Sequence, residues 1–122
     1  MAKLTKKSTS GTSFHDTTII CTANQLIAAI GKPQYAVNDP QDKINLLELS
    51  SRHIPIFNMP SFMWDCQTKS GKVFTIYDWN EYRVLDLNEK IKWHIGGFSF
   101  MDTMEAKHEL IGQLVKNNLE NA

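Results

Sequence analysis

Two helical stripes and a set of alternating runs organise the apolar positions of this chain. Ala23, Leu26, Ile27 and Ile30 recur at i, i+3, i+4 and i+7, one face of a short helix. Thr22 with Gln25 three residues on forms a capping box. Gly31 is a left-handed stop and Pro33 prevents continuation, so the helix runs over 23–30. The second stripe is Met104, Ile111 and Val115, with Leu110 and Leu114 beside it. It predicts a helix over 102–118, capped by Asp102 with Glu105 completing the box. Gly112 lies inside that helix, at a cost of about 1 kcal/mol against Ala, and is read as letting the helix approach the sheet or another chain closely.

Strand signals fill the intervals. Thr12 to Cys21 is rich in Thr, Ile and Phe, with Phe14, Asp16 and Thr18 on one face and His15, Thr17 and Ile19 on the other. Lys43 to Leu49 reads as a strand whose phase breaks at Leu47. Ser50 to Pro60 reads as an irregular loop with two prolines. Ser61–Thr68 and Lys72–Trp79 flank Lys69-Ser70-Gly71, a hairpin. The second of these is apolar on both faces, which predicts a central strand. Ile91 to Phe100 is a further strand, bulged at Gly96-Gly97. The predicted fold is α+β: an antiparallel sheet of about four to five strands, a short helix in the N-terminal half, and a C-terminal helix packed on one face.

Composition narrows this to one domain of 122 residues with 42% apolar and 21% charged positions. No apolar run reaches the ~18 residues of a membrane helix, and no secretory pattern follows Met-Ala-Lys-Leu-Thr-Lys-Lys. A cytoplasmic protein is expected. The net charge is zero, but Lys3, Lys6 and Lys7 lie in the first ten residues without any acid. Residues 11–122 thus hold 10 bases against 13 acids, a net of −3. Such a body is a poor nucleic-acid binder. Residues 1–10 read as a flexible basic arm attached to a single domain over 11–122. Cys21 and Cys66 have no second Cys or His at ligand spacing and are expected to be free and buried.

The chemistry-bearing residues fall into separate groups. Thr12, Ser13 and His15 come first; Asp78, Trp79, Tyr82 and Arg83 follow a strand end; Trp93 and His94 lie in the last strand. His15, His94 and Asp78 suit acid–base chemistry and define a small-hydrolase alternative. The sequence holds no HxH, HExxH, CxxC, Walker or Rossmann pattern, so no metal and no cofactor is expected. Trp79, Tyr82 and Arg83 suit binding better, since stacking and ion pairing concentrate in these residue types. Thr12, Ser13, His15, Trp93 and His94 complete the expected binding set. Ile54, Ile56, Phe57, Met59, Phe62 and Met63 form a second candidate contact patch. Burial of such surface predicts a homo-oligomer.

Four segments carry resemblances to two known families. Thr22-Ala-Asn-Gln-Leu-Ile-Ala-Ala-Ile-Gly-Lys-Pro33 resembles the capped helix and Gly-x-Pro exit of small α+β modules related to outer-membrane lipoprotein assembly factors. Gly11-Thr-Ser-Phe-His15, Val73-Phe-Thr-Ile-Tyr-Asp-Trp-Asn-Glu-Tyr-Arg83 and Trp93-His-Ile-Gly-Gly97 are similar to a family of small phage proteins, over residues 11–110. That second resemblance implies a phage or prophage origin and stoichiometric binding of a host protein, such as a defence component, or of a nucleotide-type signal. A self-assembling structural phage part is the remaining alternative.

Overall fold

The computed structural model describes residues 1–36, 61–79 and 85–120. Six strands, β1 (Lys3–Leu4), β2 (Ser13–Cys21), β3 (Tyr35–Ala36), β4 (Phe62–Gln67), β5 (Val73–Tyr77) and β6 (Ile91–Gly97), form one antiparallel sheet. Two helices, α1 (Ala23–Ile30) and α2 (Phe100–Glu120), complete the fold. The sheet runs β1-β4-β5-β6-β2, with β3 also on the outer edge of β4. The α+β class, the C-terminal helix and the central place of β5 are as the pattern predicted. The expected strand over 43–49, the loop over 50–60 and the patch residues Ile54, Ile56, Phe57 and Met59 lie outside the described residues.

Local signals act as the spacing implied. The Thr22 hydroxyl accepts from the Gln25 amide at 3.0 Å, and the Gln25 side chain accepts from the Thr22 amide at 2.8 Å. Gly31 closes α1 at φ +111°, and its amide donates to Ile27. The β4–β5 hairpin closes through Thr68 and Lys72, with Gly71 at φ +88°.

The core lies between the helices and one sheet face. Phe62, Trp64, Cys66, Phe74, Ile76, Ile91, Trp93, Ile95, Ile19 and Cys21 point into it from the strands, and Ala23, Leu26, Ala106 and Leu110 from the helices. Trp64 and Trp93 meet edge to face at 5.3 Å. Each indole is satisfied: Trp64 donates to the Gly31 carbonyl and Trp93 to the Cys21 carbonyl, both at 2.9 Å. Burial pushes the Cys21 thiol up to about 12 and the Cys66 thiol higher still, so both are inert thiols.

Several expectations are corrected. The first ten residues are no free arm. β1 pairs with β4, Ala2 is buried, and the Gln113 carboxamide accepts from the Ala2 amide at 2.8 Å and donates to the Ala2 carbonyl at 3.0 Å. Backbone pairing, the buried Ala2 and the Leu4 side chain packed against the core do this docking, and a polar composition does not report it. α2 starts at Phe100, not Asp102, because the Ser99 hydroxyl accepts from the Asp102 amide at 3.1 Å and serves as the cap. The bulge is on β2, not at Gly96-Gly97. Three residues, His15 to Thr17, oppose one residue of β6, and Asp16 takes φ +65°. Gly96 and Gly97 instead admit neighbours. A Cβ on Gly96 would lie 2.5 Å from the Thr75 hydroxyl, and one on Gly97 would lie 2.8 Å from the Thr103 methyl. Gly112 is exposed with open space around its missing Cβ, so it serves no close approach within the chain.

The largest correction concerns α2. The stripe expected to face the core, Met104, Ile111 and Val115, points to solvent. The buried positions are Thr103, Ala106, Leu110 and Gln113, a smaller and more polar face. Thr103 donates to the Phe100 carbonyl and receives the Thr17 hydroxyl at 2.7 Å, so its burial costs no unmet hydrogen bond. Phe62, offered as a contact residue, is likewise in the core, while Met63 is half-buried.

Candidate functional site: an aromatic cluster on the second sheet face

Strand alternation sends Met63, Asp65, Tyr77, Thr18, Ile20, Lys92 and His94 away from the helices. β1 and β2 lie on opposite edges, so the chain between them must cross one face of the sheet. Thr9 donates to the Asp65 carboxylate at 3.3 Å, which places the crossing on this second face. Asp65 stands opposite Thr75, which is buried. At the other end one row runs Met63, Tyr77, His94, Thr18 across four strands.

His94 is the centre of that row. Its ring stacks on Phe14 with centroids 3.9 Å apart and planes within 13°. Trp79 lies near-parallel on it at 5.8 Å, and Tyr77 meets it edge-on at 5.6 Å. The β2 bulge makes this possible, because its two extra residues set Phe14 opposite Gly96, two positions along β6 from His94 and on the same face. Phe14 and Trp79 nevertheless stay 37% and 45% exposed. Desolvation by burial among these rings, then the charge of neighbouring Lys92, lowers the His94 pKa from its ordinary value, which favours the neutral ring. The cluster is thus a flat, uncharged, partly solvated aromatic surface. Stacking and insertion into a complementary pocket are what such a surface does.

The other expected site residues scatter. His15 places Nε2 3.1 Å from the Gly97 carbonyl and 3.3 Å from the Ser13 hydroxyl, a local tether of the bulge. Thr12 donates to the Thr9 carbonyl at 2.7 Å. Trp93 is fully buried and belongs to the core, which corrects its place in the binding set. Tyr82 and Arg83 lie outside the described residues. Asp78 is buried at the end of β5, accepting from the amides of Ser61 and Phe62 at 2.9 Å. Its carboxylate ties two strand ends together on the core side, whereas His94 lies on the opposite face. The structure therefore does not assemble His15, His94 and Asp78 as one acid–base set. Among the described residues no cluster of three His, Cys, Asp or Glu side chains could hold a metal. No described helix is long and apolar enough to cross a membrane.

Sequence reasoning singled out Trp79 and His94 but missed Phe14 as their partner. Its shared face with Thr18 was legible, but the bulge that sets it opposite Gly96 and beside His94 was not. A separate concavity of about 660 Å³ lies between the hairpin loop and α2. Its carboxylates are already engaged: Glu105 accepts from the Ser70 hydroxyl and Glu109 from the Lys69 amide. No protein-family model matches this chain, and neither a curated protein nor a solved structure matches it significantly.

Proposed function

We propose that this is a binding protein of phage type that acts stoichiometrically on a host protein in the cytoplasm, with Trp79, His94 and Phe14 as the anchor, and that it self-associates. The observation that carries this reading is the stack of Phe14, neutral His94 and Trp79, left partly open to solvent on a rigid sheet. A rigid aromatic surface loses little conformational entropy on binding, and truncating such anchors commonly costs about 2 kcal/mol or more. The phage origin and the host partner rest on the resemblance read from residues 11–15, 73–83 and 93–97. The separation of His15 and Asp78 from His94 weighs against the hydrolase alternative.

The test is a paired titration. A partner is recovered from host lysate with the wild type, identified by mass, and titrated calorimetrically against the wild type, Trp79→Ala and Phe14→Ala. The proposal expects a fixed stoichiometry and an affinity weakened about 30-fold in each variant. Recovery of a nucleotide in place of a protein would favour the signal-binding reading. A recovered molecule that the wild type consumes and His94→Ala spares would overturn binding in favour of catalysis.

A further inference from the structure

The outer edge of β2 and the solvent-facing stripe of α2 form one continuous surface. β2 ends the sheet, and among the described residues no strand pairs with its outer edge. Its segment Thr17-Thr18-Ile19-Ile20-Cys21 contains no charge, no Gly and no Pro. Natural sheets protect long edges with such residues and with bulges; the β2 bulge ends before Thr18, and the edge beyond it is a template for another strand. Ile20 on this edge is 66% exposed. Below it a groove of about 370 Å³ opens between β2 and α2, lined by Thr18, Ile20, Lys107, Ile111, Leu114 and Val115. Met104, Ile111 and Val115 continue the apolar surface along α2, with Val115 53% exposed. A helix that turns an apolar stripe to solvent presents a surface for a partner.

We propose that a second copy of this chain occupies the surface: the β2 strands of the two copies pair antiparallel about a two-fold axis, and the two α2 stripes pack together beneath them. This rests on the self-association proposed above and names its surface. Three features single out a copy over an unrelated chain. An antiparallel strand pair is self-complementary, so a two-fold axis normal to the sheet sets each residue opposite one on the same face and keeps both helices on the same side. The same operation brings one apolar stripe onto the other. The exposed parts of Ile20, Met104, Ile111 and Val115 amount to about 400 Å² on each copy; with the paired strand backbone and the Thr18 and Lys107 rim, the pair approaches ~1,200 Å², the lower limit of stable interfaces. The segment also lacks carboxylates, so no acid is buried between the strands.

Sedimentation equilibrium from about 1 to 200 µM tests this on the full chain, with Ile20→Lys and Ile111→Lys as variants. The wild type is expected at twice 13.9 kDa in the upper range. Each variant is expected to dissociate at least about 100-fold more readily, since the two-fold axis brings like charges together. Both positions are exposed within one chain, so unchanged circular dichroism is expected. Should a variant unfold, amide exchange of the wild type decides: protection at residues 17–21 that rises with concentration supports the interface, and concentration-independent exchange refutes it. A wild type monomeric at 200 µM would overturn both self-association and this surface. A dimer that survives both lysine variants, or that Trp79→Ala alone abolishes, would leave self-association standing and overturn the surface.

Discussion

The two edges of the sheet are built in opposite ways. On one side the outer edge of β4 is closed by fragments. β3 pairs with Phe62 and Met63, and β1 pairs with Cys66 and Gln67. Between them Asp65 is satisfied without a strand. Its amide donates to the Gln34 carboxamide at 2.9 Å, and its carbonyl accepts from the Gln34 side chain at 2.8 Å and from the Thr5 amide at 3.0 Å. Lys3, Lys6 and Lys7 stand exposed on or beside this edge. On the other side β2 offers nine residues of strand, uncharged over its last five, with an apolar helix face beneath. One edge is capped by short fragments and basic; the other is longer, bulged at His15 to Thr17 and uncharged beyond the bulge. The same chain that spends its first five residues and two glutamine side chains on one edge leaves the other open, which is why the open one is the place to expect a partner.

Removing residues 1–10 is the most severe way to break the contrast. It deletes β1, exposes the β4 edge and strands the buried Gln113 carboxamide. A loss of about 3 kcal/mol is expected, since several buried hydrogen bonds go at once. Thermal melting should show a drop on the order of 10 °C. A change under about 2 °C would mean that the closed edge contributes nothing.

Gln113→Ala is the narrower form of the same break. The side chain also donates to the Ala29 carbonyl at 3.2 Å, so it joins β1, α1 and α2. Leaving these buried groups unmet should cost about 2 kcal/mol by urea unfolding, with an unchanged slope. Gly112→Ala works in the other direction. Its Cβ would enter open space on an exposed helix face, so stability should rise by about 1 kcal/mol in the same measurement. That gain also shows that this glycine is not held for packing inside the chain.

The smallest effect concerns His94, one strand in from the open edge. Its folded pKa lies below its unfolded value, so the unfolded chain takes up the proton first as pH falls. The native state is therefore destabilised as pH drops through the unfolded value near 6.5 toward the lower folded one, and feels nothing from this group above it. His94→Gln should flatten the fall in stability between pH 7 and 5, read from urea midpoints. A curve identical to that of the wild type would show that the ring is solvated, and the stacked cluster would lose its support.

Much of the candidate site was legible as residue types and little as geometry. Trp79 and His94 stood out by their chemistry, but their meeting with Phe14 depends on a bulge of two extra residues. A residue in the left-handed region at Asp16 leaves only a weak mark in sequence. Trp93 looked like a binding residue for the same reason as Trp79. What separates them is one step of strand parity, with Trp79 on the second face and Trp93 on the core face against Trp64.

The sequence by itself determined what is closed within a few residues. The capping box at Thr22, the stop at Gly31 and the hairpin at Gly71 are satisfied by groups at most four positions away. The class of fold follows from those elements and their periods. Tertiary structure alone decided how α2 rotates about its axis. Periodicity identifies an apolar arc but not which part of it meets the sheet. The sheet's inner face already carries Trp64, Trp93 and Phe74, and near its end Gly97 lets the helix come close. Volume then favours the small side of the helix, Thr103 and Ala106, against the sheet, and turns Met104, Ile111 and Val115 outward. The N-terminal residues were settled in the same way. Their docking depends on a glutamine 111 residues distant, and no local pattern could report it.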